Sequence, residues 1–197
     1  VRIAVFCLIA SVLLPSAVGA QAPASVPVFE VVPAKSTIKF DVEASVSIVG
    51  TFDKWNAALT FDSPDVESAG FDVRINADSV DTGSSIKNSR LKGKDFFDVS
   101  QYPLITFKST RVVQKGLNDF ELDGTFTIRG VSEPEKLMLK VSGRGTGAGQ
   151  IEGTMAFDRK KYGMNSGIPF IRIADRVQVT VNLLARRISG PAIIYKH

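Results

Sequence analysis

Two serine–lysine pairs, Ser36-x-x-Lys39 and Ser84-x-x-Lys87, have the spacing with which penicillin-binding enzymes set a serine nucleophile beside a lysine. The partner elements of that chemistry, a Ser-Asp-Asn-type triplet and a Lys-Thr-Gly strand, are missing. With this many serines and lysines such a match is expected by chance. Gly143-Arg-Gly145-Thr-Gly147-Ala-Gly149 is spaced like a phosphate loop. A phosphate loop must open a helix whose free N–H groups meet the anion. Here Ile151-Glu-Gly-Thr-Met-Ala-Phe157 follows and alternates like a strand, so a flexible hairpin is expected. Asp62, Asp65, Asp78 and Asp81 lack the spacing of a calcium loop and read as solvated turn acids. The sole histidine is the last residue, His197, and the sole cysteine is Cys7. That disfavours an imidazole base, a histidine-ligated haem, a histidine-rich zinc site and a thiol nucleophile. The expectation is a non-enzyme with no catalytic residue, no metal and no cofactor.

The elements that would position a site are mostly strands. Between Phe120 and Arg129, Phe120, Leu122, Phe126 and Ile128 share one face, while Glu121, Asp123, Thr125, Thr127 and Arg129 share the other. That is the period of two of a half-buried strand. It recurs at Ile38–Val42, Val49–Phe52, Ala58–Asp62, Phe71–Ala77, Ile105–Phe107, Leu137–Val141, Ile151–Phe157 and Val177–Leu183. Ser63-Pro64-Asp65 and Gly130-Val131 with Pro134 read as turns. From Ser79 to Gln101 the alternation stops. Ile86, Arg90, Leu91 and Phe96-Phe97 suit one or two short helical turns capped by Thr82 or Ser84 and lying across a barrel end. The expected fold is all-β: an antiparallel barrel of about eight strands, a size that either fills with side chains or encloses one ligand. All 13 phenylalanines but Phe6 lie beyond residue 20, mostly at inward positions. Composition does not separate a filled barrel from a hollow one.

The first 20 residues read as a secretory leader. Arg2 precedes an apolar run from Ile3 to Leu14, a Pro15 break and Ala17-Val18-Gly19-Ala20, which predicts cleavage before Gln21. Cys7 would leave with it, so the exported chain would rely on burial and strand pairing without a disulfide. Residues 21–28 read as a flexible tether, 29–187 as the barrel and 188–197 as a C-terminal tail. Net charge is +4 from 24 basic and 20 acidic side chains, interspersed along the chain. That is a soluble surface and no nucleic-acid footprint. Transient contact with an anionic membrane, and pairing of two barrels, are compatible with it.

The run Asp95-Phe-Phe-Asp-Val-Ser-Gln-Tyr-Pro-Leu-Ile-Thr-Phe-Lys-Ser109 resembles the signature of the YceI-like family of bacterial polyisoprenoid-binding proteins. So do Gly124-Thr-Phe-Thr-Ile-Arg-Gly-Val131, Val49-Gly-Thr-Phe52 with Trp55, and Arg159-x-x-Tyr-Gly-Met164. Their order and spacing match over nearly all of residues 29–186. Many members carry histidine near the positions of Lys35 and Ala44, and this chain does not. The resemblance implies an extended lipocalin-like barrel whose tunnel holds a long isoprenoid, of polyprenyl or isoprenoid-quinone type, in a periplasmic or secreted protein. Within it, Phe40, Phe61, Phe107, Phe126, Ile128 and Val179 are expected to line the tunnel. Leu91, Phe96 and Phe97 would form a lid or deep wall, with Trp55, Tyr162 and Met164 near an end. Arg90, Arg159 and Asp175 are candidates for polar contacts at the head group, or equally for a structural ion-pair network.

Overall fold

The computed structural model describes residues 25–45, 48–167 and 172–196. The leader expected over residues 1–20, its cleavage before Gln21, Cys7, His197 and the first four residues of the tether lie outside the described residues. Eleven strands are present among those described: β1 Val28–Val31, β2 Thr37–Ala44, β3 Ile48–Phe52, β4 Trp55–Phe61, β5 Ala69–Asn76, β6 Val80–Asp81, β7 Leu104–Gln114, β8 Asp119–Ile128, β9 Val131–Ser142, β10 Ala148–Asp158 and β11 Ile173–Ser189. One α-helix, α1, spans Ser85–Lys92. The sheet begins one residue inside the expected tether and ends two residues inside the expected tail.

All strand pairings are antiparallel, in the order β4-β5-β7-β8-β9-β10-β11-β2-β3-β6. The 17-residue β11 carries two partners on one side. Its first part pairs with β2 (Val179 opposite Phe40) and its last part with β1 (Ala185 opposite Val31). β1 in turn brings Phe29 onto Phe61 of β4, ring centroids 5.7 Å apart, so the curled sheet returns on itself. The expected count of about eight strands is therefore too low. The strands beyond the alternating segments are the short β1 and β6. β1 shares its neighbour β11 with β2, and β6 adds two residues to the edge of β3.

Period-two burial drives the curl. On β8, Phe120, Leu122, Gly124, Phe126 and Ile128 are buried and the residues between them are not. Burying each large apolar side chain contributes about 1.5–3 kcal/mol, enough to fix register. β8 and β9 meet through Arg129 and Gly130, whose φ of 54° and 72° form the two-residue turn of a hairpin. Pro134 is not in that turn, contrary to expectation. It pairs with Thr125 inside β9, where β10 has not yet joined the ladder, so its missing N–H leaves no carbonyl unpaired there.

α1 is capped by Ser84, whose hydroxyl accepts from the Lys87 backbone N–H at 3.5 Å. Leu91 and the following Phe96 and Phe97 are buried beneath it, with the Phe97 ring 5.9 Å from Phe52 and 6.3 Å from Phe40. The helical segment thus covers one end of the barrel. Tyr162 wedges into the same end, fully buried, with centroids 5.2 Å from Phe157 and 5.5 Å from Phe126.

Candidate functional site

Both serine–lysine pairs are structural. Ser84 is the helix cap, and the Ser36 hydroxyl donates to the Val32 carbonyl (2.7 Å) while accepting from Leu184 N–H (3.0 Å). Asp65 accepts from Glu67 N–H, Asp81 from Gly83 N–H and the Asn88 amide, and Asp78 pairs with Lys92. None of these groups faces an enclosed space.

The barrel interior is divided. At the end away from α1 lies a cavity of about 540 Å³, a size typical of ligand pockets. Its walls are Phe29, Leu59, Phe61, Phe71, Val112, Phe120, Leu122, Leu139, Val141 and Ile151. Its rim is built from the β7–β8 turn at Leu117 and Asn118, the glycine hairpin from Ser142 to Gly149, and the C-terminal segment at Ala192, Ile193 and Tyr195. Leu117 stands 72% exposed at the mouth. On β8 the cavity reaches inward from the turn to Leu122, roughly 16 Å at about 3.3 Å per residue.

Beneath α1 lies a second space of only about 70 Å³, lined by Phe40, Leu91, Phe96, Phe97, Phe126, Ile128, Met164, Val179 and Arg159 among others. Between the two runs a packed belt. Phe107 lies over Gly124, where a Cβ would meet its ring at 2.5 Å, and Val181 and Leu139 close over Gly153 at 2.5 and 2.7 Å, with Leu137 behind them at 3.3 Å. Phe107, Leu137, Val181 and Leu183 are buried and line neither space.

The expected lining residues are thus distributed unevenly. Phe61 alone faces the large cavity. Phe40, Leu91, Phe96, Phe97, Phe126, Ile128, Met164 and Val179 surround the small one. Phe107, expected to line the tunnel, sits in the belt; Trp55 and Tyr162 border neither space, Tyr162 being packed into the end beneath α1. A continuous tunnel is replaced by one roomy cavity, a partition and a nearly filled end.

Of the three polar candidates, Arg159 is buried and saturated. It donates to the carbonyls of Ala174 (3.1 Å), Ser166 (3.1 Å) and Met164, and to the Asp175 carboxylate (3.2 Å). Asp175 also takes Lys160 at 2.8 Å, and that hydrogen bond foremost holds its carboxyl below the usual range. Arg90 is exposed beside Asp95 at 3.6 Å. Arg90 and Asp175 line neither space; Arg159, Asp175 and Lys160 are linked by ion pairs, and Arg90 pairs separately with Asp95.

Sequence reasoning missed the rim. The glycine run is the hairpin it was expected to be, joining β9 to β10, but it also borders the cavity. The C-terminal segment lies across the same mouth. Ile194 bridges Asp65, accepting from Val66 N–H (2.9 Å) and donating to the Pro64 carbonyl (2.8 Å). Lys196 N–H donates to the Gln114 side chain (2.8 Å), and the Lys196 ammonium pairs with Glu67. Tyr195 packs on Phe120 at 6.2 Å and carries the Arg144 guanidinium over its ring at 3.7 Å. The available signal was the apolar Ile193-Ile194-Tyr195 in an otherwise uninformative tail.

A curled antiparallel sheet around an apolar cavity open at one end defines the lipocalin-like barrels. The chain belongs to the YceI-like family, whose domain model matches residues 29–185. A UPF0312 protein of Pectobacterium carotovorum subsp. carotovorum is 35% identical over 98 residues, half of each chain. The chain thus spans about half the length of the curated relatives it matches. BcnA of Burkholderia cenocepacia superimposes with a TM-score of 0.71 at 27% identity, over 79% of this chain and 99% of BcnA. A domain of Saccharophagus degradans, described as polyisoprenoid binding and implicated in plant cell wall breakdown, gives 0.64 at 16% identity over 82% and 99%. At that identity the likeness concerns the fold.

Proposed function

We propose that this protein binds, stores or carries a long-chain isoprenoid-type amphiphile in the periplasm or outside the cell, seating its apolar chain in the large cavity. The observation that carries the reading is the cavity of about 540 Å³ walled by aliphatic and aromatic side chains. The polyisoprenoid-binding description of the Saccharophagus domain supports it at the level of fold and family. Each buried methylene contributes about 0.8 kcal/mol relative to water, so ten give roughly 8 kcal/mol before ordering costs. A bilayer offers the chain a similar gain. A protein that only matches the bilayer can exchange lipid with it, and no catalytic group is needed.

Lipid mass spectrometry on protein purified from its own host tests this. Recovery of one amphiphile in near-stoichiometric amount is expected; repeated recovery of none, with no uptake of prenyl probes, would refute it. The belt at Phe107 favours a second reading, a packed barrel that acts as a structural or protein-interaction module. That reading predicts the refuting result.

A further inference from the structure

The large cavity is apolar except at its mouth, and the charged side chains on its wall are two arginines, Arg144 and Arg187, with no carboxylate among the lining residues. Both are partly buried. Some other cations of this barrel stand next to acids, among them Arg159 with Asp175, Arg186 with Glu30, and Lys136 with Glu121 and Asp123. Among the described residues Arg144 and Arg187 have no such partner.

Both are nevertheless held in place. Arg187 N–H donates to the Gly147 carbonyl (2.7 Å), tying it to the hairpin that carries Arg144, and its guanidinium donates to the Gly190 carbonyl (2.8 Å). The Arg144 guanidinium donates to the Leu117 carbonyl and lies over Tyr195. Each of these contacts uses a fraction of the five N–H donors a guanidinium presents, leaving others for a planar or tetrahedral oxyanion. Two half-buried positive charges at the edge of an apolar chamber also raise the local potential, and an anion there would offset their lost hydration.

We propose that Arg144 and Arg187 form the head-group site for an anionic amphiphile, one ending in a phosphate or carboxylate whose apolar chain fills the cavity. This deepens the carrier reading and rests on it. A neutral head, such as a quinone or alcohol, would gain much less from the pair.

The test is displacement of the neutral dye N-phenylnaphthylamine from the intact protein by farnesyl monophosphate, farnesol and inorganic phosphate. Farnesyl monophosphate is expected to act at roughly tenfold lower concentration than farnesol, the worth of one hydrogen bond to a charged group. R144Q and R187Q should each narrow that gap, and the double variant should close it. Inorganic phosphate alone should leave the dye in place; displacement by it would make the pair a free-anion site and overturn the proposal. Equal potency of the two prenyl probes would also overturn it, while leaving the carrier reading intact because farnesol still binds. If neither the dye nor farnesol binds, the carrier reading falls and takes this one with it. Should R144Q fail to fold, the comparison on the unmodified protein and on R187Q decides.

Discussion

Arg159 is buried, and its guanidinium is taken up by the carbonyls of Ala174, Ser166 and Met164 and the carboxylate of Asp175. Arg159→Met keeps the stem volume but strands those acceptors, so it should lower stability by about 3 kcal/mol in urea melts. Prenyl uptake at the opposite end should persist. Tyr162 makes a related point. Burial, with the nearby Glu135 carboxylate adding to it, pushes its phenol well above the usual range, and its hydroxyl donates to Glu135 at 3.2 Å. A folded-state value raised above the unfolded one gives stability that is fully present below the unfolded value, about 10, and is lost progressively as pH rises from there through the folded value. The urea midpoint should therefore fall above about pH 10, and Tyr162→Phe should flatten part of that slope.

The belt that joins β7, β8, β9, β10 and β11 sets how far a chain can enter. Phe107 fills the space over Gly124, where the Lys108 carbonyl also approaches a would-be Cβ to 2.8 Å. Phe107→Ala should lower stability by roughly 3–4 kcal/mol and join the two spaces, shifting preference toward longer prenols in a chain-length series. The C-terminal segment spans the mouth through Glu67, whose carboxyl is held below its usual range, first by Lys196 and then by the Gln114 N–H. A lowered folded-state value gives stability that is present above the unfolded glutamate value and lost as pH falls through the folded one. The protection factors (exchange relative to the intrinsic rate at each pH) of the Ile194 and Lys196 amides, whose N–H groups bond to Pro64 and Gln114, should fall on acidification below the glutamate range and stay constant between pH 6 and 8. The period of two revealed β5 and β8 nearly whole, but only Ile105–Phe107 of β7 and Val177–Leu183 of β11. It parted β3 from β4 at Asp53 and Lys54 but could not reveal β1, with four residues, or β6, with two, because so short a strand has no measurable period.

The whole molecule is a barrel with a roomy end and a packed end, and the sequence does not mark which is which. Phe40, Phe126 and Val179 are inward apolar residues like Phe71, Phe120 and Ile151, yet the first three surround about 70 Å³ and the others about 540 Å³. What separates them is packing between distant segments. Phe96, Phe97 and Tyr162 fill one end, while turns and the C-terminal segment only border the other. The resemblance carried the barrel and its likeness to a lipid carrier; of the polar candidates it suggested, Arg159 and Asp175 pair with each other and Arg90 with Asp95, and the arginines at the mouth lay in stretches read as a hairpin and a barrel edge. The most direct measurement is a crystal structure of the protein loaded with a prenyl chain brominated at its far end. The account predicts an anomalous peak at the cavity floor, between Phe71, Leu122 and Ile151. A peak under α1, or bromine only on the outer surface, would contradict it.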